Sequence, residues 1–305
     1  MSAVGINLAL PVITYTDTEM NSKFTSIACA IGSGLIFASS AIAQPAASKI
    51  DFPQASPACT IKQRVGLTDV EVTYSRPSAK GREVFGSVVP YDKVWRTGAN
   101  QATKVVFSTP VKLNGTDVAA GTYALMTIPG KDEWTIIVNK GAEPGPFKYD
   151  EKKDLVRFKA KPVKLAQALE TFTIEFADIK ENNSTLNLSW DKTAVPIKVE
   201  VDFIDKLFAQ IEELMASDAK EKPYFQAAAF YNSHDRDLQK ASKWIDSAIA
   251  ERDAYYIVFV KAQILAKLGD KAGAIAASKH STELAEKAND TAYLKLNADF
   301  LAKLK

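Results

Sequence analysis

The chain has 305 residues, of which 47% are hydrophobic and 24% are charged, a composition typical of folded globular proteins that excludes a mostly disordered chain. The 38 basic and 36 acidic residues leave a net charge of +2, so the whole molecule has no strong field to attract nucleic acid or an anionic membrane. The length predicts about two domains.

The first segment has the pattern of a secretory signal. Residues 20–43 have a basic residue, Lys23, near their start, continue with an apolar stretch over 27–38 and end in the small-x-small sequence Ala41-Ile42-Ala43. The apolar stretch is shorter than the roughly 20 residues that span a bilayer. We therefore expect residues 20–43 to be a signal peptide that is cleaved before Gln44. Residues 1–19, which carry two acids ahead of an internal methionine, are expected to be an upstream mis-start.

Export would place the mature chain in a compartment where disulfides can form. The mature chain keeps one cysteine, Cys59, so no internal disulfide is expected. We also expect no transmembrane segment after cleavage.

Residues 44–57 are rich in Pro, Ala and Ser and are expected to be a linker. Beyond them apolar and polar side chains alternate, as at Val70–Tyr74 and Phe172–Phe176, which predicts strands with one buried face. Many short strands separated by turn residues such as Asn114-Gly115 predict an antiparallel β-sandwich over residues 58–203, in preference to a barrel. The further strands are expected at 104–108, 122–128, 134–139, 155–158, 186–190 and 197–203.

The densest motif of this half lies between two expected strands. It consists of Ser75–Arg82, which reads SRPSAKGR, and Val89–Asn100, which reads VPYDKVWRTGAN. Together with residues 120–140 it closely resembles the signature of the bacterial family catalogued as domain of unknown function 2911, over about residues 58–203. The resemblance implies a secreted β-domain with no assigned activity, and helical C-terminal extensions occur in such proteins.

Five residues of this signature are candidates for an anion pocket: Arg76, Lys80, Arg82, Arg96 and Asn100. Loops that contain Gly and Pro leave backbone N–H groups free, and Arg binds a carboxylate or phosphate through two parallel hydrogen bonds. The competing interpretation is that the arginines bind acids or strand-end carbonyls of their own domain and hold the loops in place. This structural interpretation is the favoured one.

After Phe203 the apolar period changes to three and four and alanine becomes common, which predicts helices over residues 204–305. The pairs Ala229/Ala262 and Ala241/Ala274 are each 33 positions apart, close to the tetratricopeptide period. The loop that ends in Gly269-Asp270 predicts a helix stop followed by an N-cap. We therefore expect a tetratricopeptide-like array of helical hairpins with these alanines at helix contacts. A generic helical bundle is the alternative, and the fold class in either case is α+β and multidomain.

No motif of the sequence predicts catalysis, a metal ion or a cofactor. The two histidines, His234 and His280, both fall in the helical half, and no His, Cys, Asp or Glu cluster has metal-ligand spacing. Trp95 and Trp134 lie in alternating strand contexts and are expected in the core.

We therefore expect a non-catalytic binding protein of the envelope of a Gram-negative bacterium, exported to the periplasm or to the outside of the cell. Its helical part would bind a protein or peptide partner, its β-domain loops would bind a small anionic or glycan ligand, and nucleic acid is not expected as a partner. The alternative is a glycan-directed envelope hydrolase that uses two carboxylates about 5–9.5 Å apart in a β-domain cleft.

Overall fold

The computed structural model describes residues 52–142 and 148–304. The expected mis-start, the expected signal peptide and residues 44–51 of the expected linker lie outside the described residues. The strands are β1 (Ala58–Val65), β2 (Thr68–Ser75), β3 (Thr103–Phe107), β4 (Val111–Leu113), β5 (Thr116–Val118), β6 (Gly121–Ile128), β7 (Trp134–Asn139), β8 (Asp154–Ala160), β9 (Val163–Ala177) and β10 (Asn183–Val201). The helices are α1 (Ile204–Ala216), α2 (Tyr224–Ser233), α3 (Leu238–Glu251), α4 (Tyr255–Lys267), α5 (Lys271–Lys287) and α6 (Thr291–Lys303), with a short 3-10 helix at Glu151–Lys153.

The described strands form two antiparallel sheets. One sheet has six strands in the order β1-β2-β3-β6-β7-β8, and the other has four strands in the order β5-β4-β10-β9. Alternate side chains of both sheets, such as Val72 and Ile136 from the first and Phe172 and Ile197 from the second, are buried in one hydrophobic cluster. This is the sandwich that the alternating pattern predicts.

A polar contact crosses this apolar core. The hydroxyl of Tyr74 on β2 accepts a hydrogen bond from the backbone N–H of Ile174 on β9 at 2.9 Å. The same hydroxyl lies 3.3 Å from the carbonyl oxygen of Ile174, to which it donates. Tyr74 is 3% exposed, and burial raises the pKa of its hydroxyl.

The expectation of separate strands at 186–190 and 197–203 is wrong, because β10 runs without a break from Asn183 to Val201. Its pairing with β9 is irregular between Ser189 and Thr193. A β-bulge interrupts the alternation of side chains, so the sequence pattern of β10 breaks although the strand continues. Strand β1 was also missed, because its inward face contains the polar residue Gln63 among half-buried side chains.

The helical half is confirmed, and consecutive helices from α2 to α6 pack against each other. Ala241, Ala262 and Ala274 are fully buried, whereas Ala229 is only partly buried and its neighbour Ala228 takes the buried position. The tetratricopeptide interpretation stays a prediction. None of the described helices has the length and hydropathy that a membrane span requires.

The boundary before α5 follows the sequence closely. Asp270 is the N-cap, and its side chain accepts a hydrogen bond from the backbone N–H of Gly273 at 2.8 Å. Gly269 precedes it with φ of +86°, the left-handed conformation that favours glycine at the end of a helix.

The change from strand to helix occurs at residues 202–203, within one compact unit that spans residues 53–305. Gly66, in the turn between β1 and β2, has φ of +55°, and a Cβ there would overlap the ring of Phe203. Another contact joins the helical and strand parts of the chain. The Nε2 atom of His234, at the end of α2, lies 3.3 Å from the carboxylate of Glu181, which is in the turn between β9 and β10.

Candidate functional site

The signature occupies the long connection between β2 and β3. The backbone of Trp95 within it exchanges hydrogen bonds with that of Thr127 on β6, at 2.7 and 3.0 Å. The ring of Trp95 stacks on that of Trp190 at 6.1 Å and meets that of Trp134 edge-on at 6.2 Å. Trp134 is 2% exposed. Both predicted core tryptophans therefore pack inside the sandwich.

Close backbone approach explains the glycine of the Trp-Arg-Thr-Gly-Ala-Asn string. Gly98 has φ of +152°, and a Cβ there would lie 2.9 Å from the carbonyl oxygen of Ser75. Its own carbonyl oxygen accepts a hydrogen bond from the indole Nε1 of Trp95 at 3.0 Å. The preceding Thr97 is fully buried, and its hydroxyl donates to the hydroxyl of Thr127 at 3.1 Å. These residues fix the loop on the sheet.

Two of the five predicted anion-binding residues, Arg96 and Asn100, contact each other. Nη1 of Arg96 donates to the backbone carbonyl of Asn100 at 2.7 Å. Asn100 has φ of +57°, and its side-chain amide donates to the carbonyl oxygen of Ser56 at 3.0 Å and to Ser75 Oγ at 3.3 Å. Asn100 thereby fastens the segment before β1 to the loop.

Arg76 and Arg82 also bind acceptors of their own domain. Arg76 Nε donates to the carbonyl oxygen of Phe172 at 3.1 Å. Arg82 Nε and Nη2 donate to the carbonyl oxygens of Ala79 and Ser78 at 2.9 and 2.8 Å. These contacts are the ones expected if the arginines hold the loops of their own domain in place. An anion pocket at these residues stays a prediction.

The side chain of Lys80, the fifth predicted residue, is exposed, and its backbone has φ of 52°. Its backbone N–H donates to the carboxylate of Glu170 on β9 at 2.7 Å.

A separate cavity of about 310 Å³, here named the lysine cleft, is lined in part by the connection between β2 and β3. Its polar lining includes Lys131 between β6 and β7, Lys164 on β9, and Lys192 and Thr193 on β10. Within the described part of the chain, the structure shows no ion pair and no hydrogen bond at any of the three ammonium groups. None of the ten described lining residues is acidic. The described lining of the cleft therefore carries three cationic side chains and no carboxylate.

The floor of the lysine cleft is aromatic. It contains Phe85 and Tyr91 from the connection between β2 and β3 and Trp134 from β7. Phe85 meets Trp134 edge-on at 5.0 Å. Tyr91 lies over Gly86, where a Cβ would come within 3.0 Å of its ring, and Gly86 has φ of +101°. The connection between β2 and β3 thus lines the cleft with Phe85 and Tyr91 and not with its arginines.

The bulge between β9 and β10 lies at the cleft residues Lys164, Lys192 and Thr193. Thr193 pairs with Lys164, whereas Asp191 pairs with Leu169, so β9 has extra residues opposite Lys192. In a regular strand consecutive side chains point to opposite faces. Here Lys192 and Thr193 are consecutive and both line the cleft. Sequence reasoning missed these lysines because no local pattern marks a bulge that spans two strands.

A second polar cluster, at the start of β8, is saturated by its own members. The carboxylate of Asp154 accepts hydrogen bonds from Tyr149 Oη at 2.7 Å, Arg157 Nε at 2.6 Å and Asn139 Nδ2 at 2.6 Å. Burial and the neighbouring Asp154 carboxylate raise the pKa of Tyr149 to about 12. The hydrogen bonds of this cluster run between its members, which indicates a structural role.

The histidines do not form a metal centre within the described residues, where no group of three or more His, Cys, Asp or Glu is placed to hold a metal ion. Nδ1 of His234 lies 2.9 Å from the carbonyl oxygen of Phe230, and Nε2 of His280 lies 2.9 Å from the carboxylate of Asp253.

The signature, the sandwich and the lysine cleft fall in one segment that a known family covers. The family described as a protein of unknown function (DUF2911) matches residues 56–199. This segment is a DUF2911 domain. The resemblance drawn from the signature is confirmed, and all ten described residues of the lysine cleft lie within the DUF2911 domain. No curated protein and no solved structure matches the chain.

Proposed function

We propose that the protein is a non-catalytic binding protein of the bacterial envelope, and that its DUF2911 domain takes an anionic ligand in the lysine cleft. The observation that supports this proposal is the position of Lys131, Lys164 and Lys192 on one cavity whose described lining has no acidic residue. Three cationic side chains on one lining favour an anionic ligand over a cationic one.

The composition of the cleft favours binding over hydrolysis. A glycosidase needs two carboxylic groups in its cleft, one to protonate the leaving group and one to act as base or nucleophile. The described lining of the lysine cleft supplies neither group. A glycan-directed hydrolase therefore has no support from this cleft, and capture of the ligand without chemical change is the function we propose for it.

The proposal includes export of the protein. We infer export from the signal-peptide pattern of residues 20–43. Export to the periplasm or beyond would give a mature chain that starts at Gln44. N-terminal sequencing of the protein from envelope fractions tests this, and retention of residues before Ser39 would contradict it. A protein or peptide partner for the helical part is inferred only from its hairpin architecture and stays a prediction.

Thermal shift at low salt tests the ligand proposal. Citrate, sulfate, phosphate and galacturonate at millimolar concentration should raise the melting temperature, because a ligand that binds only the folded state stabilises it. The triple variant Lys131→Gln, Lys164→Gln and Lys192→Gln should lose this stabilisation.

The matched control is the triple variant Lys220→Gln, Lys243→Gln and Lys279→Gln, which removes three exposed lysines of the helical half. It lowers the net charge by the same amount and should keep the stabilisation by anions. Equal loss in both triple variants would show a general charge effect and contradict a site in the cleft.

A further inference from the structure

We infer that the natural ligand of the lysine cleft is a section of an acidic polysaccharide and not a compact single anion. This inference depends on the proposed function, because it names the class of ligand that the same cleft takes. It follows from the exposure of the cations, the size of the cavity, the chemistry of the lining and the shape of the neighbouring strand.

The cations of the cleft suit a ligand with repeated charges. The side chains of Lys131, Lys164 and Lys192 are all exposed to solvent. Salt therefore screens the attraction between each ammonium group and an anion, and each such contact contributes little to the binding free energy. A tight site for one anion uses buried, bidentate arginine instead. Several weak contacts give useful affinity only when one ligand engages them together.

The cleft is also too small for a long ligand, so most of such a ligand lies outside it. Its volume of about 310 Å³ is at the lower end of small-molecule sites. Lys161, in the connection from β8 to β9, directly precedes Pro162 of the lining and is exposed, with no ion pair among the described residues. The positive surface therefore continues past the mouth of the cleft.

The neutral part of the lining fits a sugar. Tyr91 and Thr193 place hydroxyl groups on the cleft, and neither hydroxyl makes a hydrogen bond within the described residues. Val163 at the rim is 49% exposed, next to the aromatic floor. Sugar rings present C–H groups and hydroxyls together, and a mixed lining of apolar rings and hydroxyls satisfies both.

The neighbouring strand argues against an acidic peptide. One common mode of peptide binding adds a strand to an exposed sheet edge, and β9 is the edge strand of its sheet. However, β9 bulges beside the cleft, and bulges block edge pairing. Beyond the bulge, Ala79 donates its backbone N–H to the carbonyl oxygen of Glu170, and Phe172 donates to that of Pro77. The chain after β2 thereby covers this edge from Glu170 to Phe172.

Galacturonate oligomers of one to six units provide the test, with tryptophan emission as the readout because Trp134 lines the cleft. Affinity should rise about tenfold or more from the monomer to the hexamer and fall steeply with salt, since each added contact releases counterions. Lys161→Gln should weaken binding of the hexamer and leave binding of the monomer unchanged. The cleft triple variant should bind neither.

The outcomes separate this inference from the proposed function. If the monomer binds as tightly as the hexamer, the polysaccharide inference fails and the proposed function stands. If no galacturonate and none of the small anions binds, both fail. If neutral maltohexaose, poly-glutamate, single-stranded DNA or anionic phosphatidylglycerol vesicles bind to the cleft as tightly as the hexamer, the assignment to acidic polysaccharide is wrong.

Discussion

Arg76 donates a hydrogen bond from Nε to the carbonyl oxygen of Phe172 at 3.1 Å, and this contact joins the two sheets of the sandwich. Arg76 directly follows β2, and Phe172 lies on β9. Nη2 of Arg76 also donates to Thr173 Oγ1 at 2.8 Å. Two positions earlier, the hydroxyl of Tyr74 binds the backbone of Ile174 on the same strand. The first arginine of the signature thus belongs to a row of inter-sheet contacts.

Replacement of Arg76 tests this structural role. Arg76→Lys keeps the charge but cannot reproduce two hydrogen bonds in a fixed geometry. We expect a loss of about 1–3 kcal/mol in the free energy of unfolding, because partly buried acceptors lose their donor. Urea denaturation measures it. The control is Arg64→Lys on β1, where the arginine is exposed and pairs with Asp69 at 3.1 Å, and this change should cost less than about 0.5 kcal/mol. Equal stability of the Arg76 variant and the native protein would contradict the inter-sheet role.

Close helix packing at Ala262 gives a second prediction. Ala262 on α4 is fully buried in a cluster with Val258 and Ala277. Ala262→Leu should overpack this contact and destabilise the protein by about 1–3 kcal/mol. Ala250→Leu, at an exposed position of α3, should have almost no effect because Leu and Ala have similar helix propensity. Thermal unfolding followed by circular dichroism measures both, and an unchanged melting temperature for Ala262→Leu would contradict the packing described.

Tyr149 gives a prediction about alkaline pH. Burial and Asp154 raise the pKa of Tyr149 to about 12 in the folded protein, above the value of about 10 in an unfolded chain. The raised pKa means that the contribution of Tyr149 to stability is complete below pH of about 10 and is lost as the pH rises through about 12. The difference in stability between the native protein and Tyr149→Phe should therefore shrink over this interval.

Nuclear magnetic resonance of ring-labelled tyrosine measures this pKa directly, and the signal that disappears in Tyr149→Phe gives the assignment. Asp154→Asn removes the neighbouring negative charge and should bring the midpoint of Tyr149 closer to its ordinary value. A midpoint near 10 in the native protein would show that the phenol does not lie in the hydrogen-bonded cluster.

Period and turn chemistry were sufficient to predict most of the fold. The alternation around Val70–Tyr74 predicts which side chains of that strand are buried, because successive side chains point to opposite faces of a sheet. The positions of Ala241 and Ala262 in their helices predict burial in the same way, because positions three and four apart share one face of a helix. The lysine cleft could not be predicted in this way. Lys131 lies between β6 and β7 of the six-stranded sheet and Lys192 lies on β10 of the four-stranded sheet, so only the packing of the two sheets brings both to one cavity. By contrast, the sequence pattern does single out Arg76, Arg82 and Arg96. In the structure they donate hydrogen bonds to backbone carbonyl oxygens of their own domain.

Amide chemical-shift mapping with a galacturonate trimer tests the central claim most directly. We expect the largest changes at Lys131, Lys164 and Thr193, with saturation at one affinity and with no change in the helical half. The cleft triple variant should show no changes. Perturbation centred on Arg82, Arg96 and Asn100 instead, or no perturbation at any residue of the DUF2911 domain, would contradict binding in the lysine cleft.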